Sequence, residues 1–283
     1  MNPKQLDIRN LDGAFGAEIH GLDLARPLKT SVLNQLRAAF DEHSLLVFRD
    51  QDISIDQQVA FGRIFGELYL HPLYEPLAEH PEVVEFRKEP EDTVNVGGGW
   101  HADLTCFEAP PAAGLLRVTE LPASGGDTLF ADMRAAFEAL SEKMQGFLEG
   151  LKAIHTSAKV FGAAGKYSQK GTGASKRVTI DGAQHALHPV VRVHATTHRK
   201  SLFVNRAYTT FIKGLTYEES ACLLEFLYAH AVRGEFCTRL RWRPNTMVLW
   251  DNRCTQHYAL NDYHGMRRVA LRVTTQGERP IAC

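Results

Sequence analysis

Short apolar runs separated by Gly, Pro and Asn turns recur along the chain, and this pattern is typical of β-strands. The predicted strands are Leu45–Phe48, Val83–Phe86, Leu115–Thr119, Thr128–Phe130, His188–Val193, Leu202–Val204, Thr238–Trp242, Met247–Trp250 and Val269–Thr274. So many short strands predict a β-sandwich or barrel.

Four other segments repeat apolar residues at three- and four-residue spacing, which predicts amphipathic helices. They span residues 31–41, 56–65, 133–151 and 218–230. Their predicted caps are Thr30, Ser54, Asp132 with Ser141, and Thr216, which forms a capping box with Glu219. No repeat or Gly/Ser-rich linker divides the sequence. We therefore predict a single, mainly β domain over residues 1–283 with flanking helices, and a mobile surface loop at 162–173.

Composition excludes several classes of protein. The 283 residues carry 32 Lys and Arg against 33 Asp and Glu, a net charge of −1, so no basic excess indicates a nucleic-acid partner. A hydrophobic fraction of 44% is too high for a disordered chain. No apolar run approaches the roughly 20 residues of a membrane span. The five cysteines are an odd number without a CxxC pair, and the N-terminus lacks a signal-peptide pattern, so we expect free thiols and a cytoplasmic protein.

Thirteen histidines are present, and two of them stand in patterns that suit a metal. In Trp100-His101-Ala102-Asp103, the imidazole and the carboxylate are two positions apart, and on an extended segment they face the same side. His257 follows a predicted strand and a polar turn. Each alone is more often an ordinary surface residue. Together, two imidazoles and one carboxylate make the facial triad of non-haem Fe(II) oxygenases.

The last predicted strand carries two arginines on one face. Arg268 and Arg272 alternate with Val269, Leu271 and Val273, so both guanidinium groups project opposite the apolar face. A solvated basic face on an edge strand would give this pattern. A barrel interior in which each arginine binds an anionic group, such as a carboxylate or sulfonate, would give it as well.

Six sequence blocks in order extend these motifs: WHADLT, LPASGGDTLF, HPVVR, LFVN, WDNRCTQHYALNDY and RRVALRVT. Their order and spacing resemble the taurine dioxygenase and aryloxyalkanoate (2,4-dichlorophenoxyacetate) dioxygenase family over essentially the whole chain. The resemblance implies a double-stranded β-helix, or jelly roll, with flanking helices. It also implies dependence on Fe(II), 2-oxoglutarate and O₂.

The resemblance assigns roles to ten residues. It implies that the metal ligands are His101, Asp103 and His257. It implies that Thr128 and Arg268 hold the distal carboxylate of 2-oxoglutarate. The positions matching substrate contacts are His71, Tyr74, Phe161, Tyr208 and Arg272. Where some sulfonate-oxidising relatives have polar residues just before the Trp-His pair, this chain has Gly97, Gly98 and Gly99, which leaves room for a bulkier or less polar substrate.

The implied reaction hydroxylates a C–H of a small anionic substrate, an alkanesulfonate such as taurine or an aryloxyalkanoate, and releases succinate and CO₂. The resemblance also implies a homo-oligomer, a dimer or tetramer. Two alternatives remain at this stage. The same His, Asp and His could bind zinc in a hydrolase, or the domain could be a non-catalytic jelly roll that binds an anion. Only the oxygenase requires Arg268 and Thr128 as a dicarboxylate anchor beside the metal.

Overall fold

A computed structural model describes residues 5–161 and 182–283, and every contact reported below concerns these ranges. The predicted loop at 162–173 lies outside them. Within them no helix is long and apolar enough to cross a membrane.

In the described ranges six α-helices flank the sheets, and most of their predicted starts are confirmed. Their bounds are α1 Thr30–His43, α2 Ile55–Gly62, α3 Met133–Glu138, α4 Glu142–Leu148, α5 Ala158–Phe161 and α6 Tyr217–Ala231. Ser54 and Thr216 form capping boxes at α2 and α6. The predicted Thr30 cap is wrong, because Lys29 is the N-cap of α1 and makes no side-chain bond there.

The single helix predicted at 133–151 is two helices. Asp132 accepts from the first backbone N–H groups of α3, and Ser141 accepts from Met144 N to begin α4. Apolar periodicity continues across the break, so the pattern alone could not separate them.

Seventeen short strands make up the rest of the described structure. They are β1 Asp7–Asn10, β2 Ala17–His20, β3 Leu45–Phe48, β4 Pro76–Leu77, β5 His80–Lys88, β6 Ala113–Glu120, β7 Thr128–Asp132, β8 Lys152–Thr156, β9 His185–Pro189, β10 Val191–Val193, β11 Lys200–Leu202, β12 Thr209–Ile212, β13 Cys237–Leu240, β14 Met247–Asp251, β15 Thr255–Ala259, β16 Arg268–Thr274 and β17 Ile281–Ala282. The strand predicted at 188–193 is divided between β9 and β10, which belong to different sheets. Pro189, which has no backbone N–H to donate, stands at the division.

The strands form one large sheet and three small ones. The large sheet has the order β1-β2-β3-β14-β6-β16-β5-β4, and the small sheets are β13-β7-β15, β12-β8-β9 and β11-β10-β17. The mainly β fold with flanking helices is confirmed, and it is of the jelly-roll type.

The candidate site lies where the large sheet faces the sheet β13-β7-β15. Leu45, Val248 and Trp250 of the large sheet pack against Phe130 and Leu240 of the small one and form a buried core between them. A second core packs α1 and α2 on the opposite face of the large sheet. Strands β16, β7 and β15 thus direct side chains into the same interior.

Candidate active site

Two distant histidines are joined by their main chains. His101 N donates to His257 O at 3.1 Å, and His257 N donates to His101 O at 2.8 Å. This isolated antiparallel bridge places the two imidazole rings 4.1 Å apart, centroid to centroid. Backbone pairing therefore fixes the separation of the two predicted metal ligands.

Asp103 completes the cluster. Its carboxylate oxygens lie 3.7 Å from Nε2 of His101 and 3.7 Å from Nε2 of His257. One candidate ligand atom from each of the three residues lies within 4.8 Å of the other two. Two imidazoles and one carboxylate at this spacing fit a divalent iron site that keeps positions open for further ligands.

A glycine loop orients the first imidazole. His101 Nδ1 lies 2.8 Å from Gly99 O, so Nδ1 carries the proton and Nε2 is left as the metal-binding nitrogen. Gly97 has φ +77°, and a Cβ there would lie 3.3 Å from His101 Cε1. Glycine at position 97 thus allows both the left-handed turn and the close approach of the ring.

Asp103 is held from two sides. Asn252 accepts from Asp103 N at 2.7 Å and donates to Asp103 O at 3.1 Å. Arg272 donates to both carboxylate oxygens, at 3.1 and 2.5 Å. Burial alone would raise the pKa of Asp103, but chiefly the charge of Arg272 and its hydrogen bonds to the carboxylate hold that pKa below its ordinary value. The carboxylate is therefore fixed in place and ionised.

The second imidazole is enclosed by aromatic rings. His257 lies 4.9 Å from the Trp250 ring and 6.0 Å from the Phe130 ring, centroid to centroid. Burial, reinforced by the nearby His101, lowers the pKa of His257 well below its ordinary value. The ring is thus neutral, which is the form that binds a metal.

Arg268 is a buried cation whose donors are not all used. Its Nε and Nη2 have no hydrogen-bond partner within the described ranges, although the residue is only 8% exposed. Its guanidinium lies 5.5 Å from the centre of the Trp242 ring. Unpaired donors on a buried cation are costly, so this arrangement fits an anion that supplies the missing acceptors.

Thr128 stands beside Arg268 with its hydroxyl oriented. Trp242 Nε1 donates to Thr128 Oγ1 at 3.0 Å, which leaves the hydroxyl proton available to donate to another group. Thr128 and Trp242 line the same cavity as Arg268. A carboxylate there can accept from the guanidinium and the hydroxyl together.

A cavity of about 280 Å³ brings all ten predicted site residues together. His101, Asp103 and His257 line it, as do Thr128 and Arg268 and the five residues matched to substrate contacts, His71, Tyr74, Phe161, Tyr208 and Arg272. Most of the remaining wall is apolar or aromatic. A small organic anion with an apolar body therefore suits its size and lining.

His71 contributes a neutral imidazole to this cavity. Burial, together with the charge of Arg272, lowers the pKa of His71 to about 3. Leu73 N donates to His71 Nδ1 at 3.1 Å, so Nε2 carries the proton and is a donor. The ring can thus donate one hydrogen bond to an anionic substrate without adding charge.

Several residues of the site escape recognition in the sequence. Trp242 and Trp250 have the pattern of core residues, yet both line the cavity. Lys159 and Arg206 stand at its exposed edge and belong to no motif. Asn252 belongs to the sequence block WDNRCTQHYALNDY, but its contact with Asp103 spans 149 residues and cannot be predicted from local spacing.

A second group of potential ligands is structural. His194, Asp251 and Cys254 are buried close together. His194 Nε2 donates to Asp251 at 2.9 Å, Arg253 donates to both oxygens of Asp251, and Cys254 donates to Ser44. Since these bonds occupy the carboxylate and the imidazole, the cluster acts as a buried ion-pair network that holds the turn between β14 and β15.

Comparison with known proteins gives a consistent result. Residues 7–275 match the profile of the family described as taurine catabolism dioxygenase TauD, TfdA family. The chain is 35% identical to an alpha-ketoglutarate-dependent sulfonate dioxygenase of Saccharomyces cerevisiae, over 99% of this chain and 69% of that protein. It is 35% identical to the alpha-ketoglutarate-dependent 2,4-dichlorophenoxyacetate dioxygenase of Cupriavidus pinatubonensis, over 92% and 94%. A crystal structure of a taurine dioxygenase from Burkholderia xenovorans superposes with a TM-score of 0.82 at 33% identity, covering 98% and 93%.

Proposed function

This chain belongs to the taurine catabolism dioxygenase TauD, TfdA family, and from that membership we propose that it hydroxylates a C–H of a small organic anion. The reaction depends on Fe(II), 2-oxoglutarate and O₂ and releases succinate and CO₂. Relatives of this kind favour the oxygenase over a zinc hydrolase or a non-catalytic anion-binding protein.

One observation supports the proposal most strongly. The His101, Asp103 and His257 cluster shares a cavity with Arg268, whose buried Nε and Nη2 have no acceptor in the described part of the chain. A zinc hydrolase would need the three ligands but no buried cation with free donors beside them. A dicarboxylate that reaches from the metal cluster to Arg268 makes use of both features.

The proposal gives separate roles to two groups of residues. We assign His101, Asp103 and His257 to the iron, and Thr128 and Arg268 to the distal carboxylate of 2-oxoglutarate. Bound iron would activate O₂, the oxidant, and 2-oxoglutarate would supply two of the four electrons as it is converted to succinate and CO₂, while the substrate C–H supplies the other two. The chain orients the cosubstrate and the anionic substrate and surrounds the reacting C–H with apolar side chains that exclude water.

The substrate is proposed to lie between the metal cluster and the aromatic wall. Arg272 and His71 supply the donors for its anionic group, and for Arg272 the donor without a partner in the described ranges is Nε. Tyr74, Phe161 and Tyr208 supply apolar contact. At the metal cluster the wall is formed by Gly97 and Gly99, which add no side-chain contact. This composition supports an alkanesulfonate, a sulfate ester or an aryloxyalkanoate with a bulkier body than taurine.

The test is a succinate-release assay with the iron-loaded protein, 2-oxoglutarate and O₂. One representative of each of the three anion classes is added separately, together with the uncharged alcohol of the same skeleton. We expect at least one anion to stimulate succinate release in step with its own hydroxylation, and its alcohol to be inactive. Stimulation by the alcohols and by no anion would refute the assignment of an anionic substrate.

Replacing Arg272 by Met tests its two contacts. Arg272 and any metal bound at the cluster both contact the Asp103 carboxylate. Removing the Arg272 side chain therefore frees both carboxylate oxygens and removes a positive charge that repels the metal. We expect tighter metal binding by calorimetry, unchanged 2-oxoglutarate binding, and roughly 30-fold or greater loss of substrate-stimulated turnover, as for a buried charge pair of at least about 2 kcal/mol. Weaker metal binding with substrate coupling intact would contradict these roles.

Replacing Asn252 by Ala tests the support behind Asp103. The substitution removes the two bonds to the Asp103 main chain and a third to Pro111 O at 2.9 Å. We expect metal affinity to fall by roughly 10–100-fold, as on loss of an outer hydrogen-bond partner. Ser220→Ala is the control, since Ser220 accepts from Ile212 N away from the cavity. Equal metal affinity in both variants would show that Asn252 has no positioning role.

The location and assembly of the protein remain proposals. The five cysteines form no disulfide, which supports a reducing compartment such as the cytoplasm. The proposed dimer or tetramer is testable by light scattering. The absence of nucleic-acid partners stays a prediction from the charge balance, and the absence of membrane partners stays a prediction from the short apolar runs.

A further inference from the structure

Lys88 is a buried cation at the end of β5. It is 3% exposed, and its Nζ has no hydrogen-bond partner within the described ranges. Its Nζ instead lies over an aromatic ring, 4.6 Å from the centre of the Tyr263 ring. A buried ammonium with three donors and no acceptor is costly, and burial of this kind is commonly offset by an anion.

The strand register places Lys88 beside Arg268. Strands β5 and β16 pair antiparallel, with Lys88 opposite Arg268 and Phe86 opposite Ala270. Residues directly opposite in an antiparallel pair project from the same face of the sheet. Phe86, Arg268 and Ala270 line the cavity, so Lys88 leaves the sheet on that same side. Lys88 does not itself line the cavity; it lies behind the wall, at the register position opposite Arg268.

The two neighbouring cations lack a dedicated counter-ion. No carboxylate of the described ranges forms an ion pair with Lys88 or with Arg268. Asp127 is the acidic group whose charge acts on Arg268, and it accepts from Arg239 at 2.7 Å. An anion bound at Arg268 would be attracted by the charge of Arg268 and by that of Lys88 on the paired strand.

We propose that Lys88 is a second cation for the distal carboxylate of the cosubstrate and that, with Arg268, it selects 2-oxo acids with two carboxylates over those with one. This role rests on the proposed function. It goes beyond the family resemblance, which assigns that carboxylate to Thr128 and Arg268. The competing interpretation is that Lys88 merely stacks on Tyr263 and serves the fold.

The two interpretations differ in ligand discrimination. The probes are 2-oxoglutarate and 2-oxopentanoate, which has the same chain length but no distal carboxylate. Both are titrated anaerobically by calorimetry into the Fe(II)-loaded protein and into Lys88→Met, whose side chain has a similar length without the charge. We expect 2-oxoglutarate to bind about tenfold more weakly to the variant, as on loss of an interaction with a charged group, and 2-oxopentanoate to bind as before.

Two further variants serve as a second test of the Lys88 charge and as a control. Lys88→Gln removes the charge but keeps a polar side chain, and we expect the same selective loss. Lys143→Met is the matched control, because Lys143 is exposed on α4. Failure of the unaltered protein to bind 2-oxoglutarate would overturn the proposed function itself. Normal 2-oxoglutarate binding by the folded Lys88 variants, or an equal loss for both ligands, would overturn the role of Lys88 alone.

Discussion

Asp103→Ala is expected to abolish stoichiometric iron binding and, with it, succinate release. The substitution removes the carboxylate that lies between His101 and His257. We expect a loss of metal affinity beyond the roughly 10–100-fold that follows removal of an outer hydrogen-bond partner. The measurement is metal content after dialysis against a weak chelator, with calorimetric titration of Fe(II) under anaerobic conditions.

The same substitution should also destabilise the chain. It leaves the Arg272 guanidinium buried without its carboxylate, and breaking a buried ion pair costs about 3–5 kcal/mol. Asp132→Ala is the matched control, since Asp132 is similarly buried and pairs with Arg134 away from the cavity. We expect the control to lose comparable stability and still bind one iron. Iron binding by Asp103→Ala at the normal affinity would remove Asp103 from the ligand set.

Arg268→Met is expected to have opposite effects on stability and on cosubstrate binding. The unpaired buried donors of Arg268 are removed, so the free energy of unfolding without ligands should stay the same or rise. Binding of 2-oxoglutarate should weaken by about 2–5 kcal/mol, a factor of roughly 30 to several thousand, because a buried charge pair cannot form. Chemical denaturation and anaerobic calorimetry measure the two effects.

Arg117→Met is the control for this substitution. Arg117 lies on β6 of the same sheet and donates to Gln58 and to Ile53 O. We expect this variant to lose stability and keep 2-oxoglutarate affinity, the reverse of Arg268→Met. Loss of stability without loss of 2-oxoglutarate binding in Arg268→Met would show that Arg268 serves the fold.

The sequence contained the polar residues of the site in recognisable form. The alternation around Arg268 and Arg272 follows from the strand geometry of β16, so a one-dimensional pattern was sufficient for them. His101 and Asp103 were recognised by their spacing, although His101 forms only an isolated bridge and Asp103 lies in the turn that follows it. The structure places these residues in one cavity, as the pattern predicted. The experiments described above test which of these residues bind iron, which bind the cosubstrate and which bind the substrate.

Long-range pairing was not predictable. The strand that carries His257, Thr255–Ala259, has no apolar run, because its residues face the cavity and polar neighbours, and it escaped prediction. The main-chain bridge between His101 and His257 joins segments more than 150 residues apart. Likewise, the ion pair between Arg272 and Asp103 depends on β16 facing a loop, a relation that no local pattern encodes.

Residues that face the cavity could not be distinguished from core residues in the sequence. Trp242 and Trp250 follow the apolar pattern of core positions, and Trp250 is indeed 2% exposed. Burial against a cavity and burial in a core give the same alternation of apolar residues. Only the packed sheets distinguish them, through the bond from Trp242 to Thr128 and the contact of Trp250 with His257.

The most direct test of the central claim is an anaerobic spectroscopic titration. Fe(II) is added to the protein at one equivalent, and 2-oxoglutarate is then added stepwise. If one site holds Fe(II) and 2-oxoglutarate together, we expect a weak visible absorption band that saturates at one 2-oxoglutarate per chain. The same band should be missing in Asp103→Ala. The absence of such a band at saturating 2-oxoglutarate, with iron shown to be bound, would contradict the account.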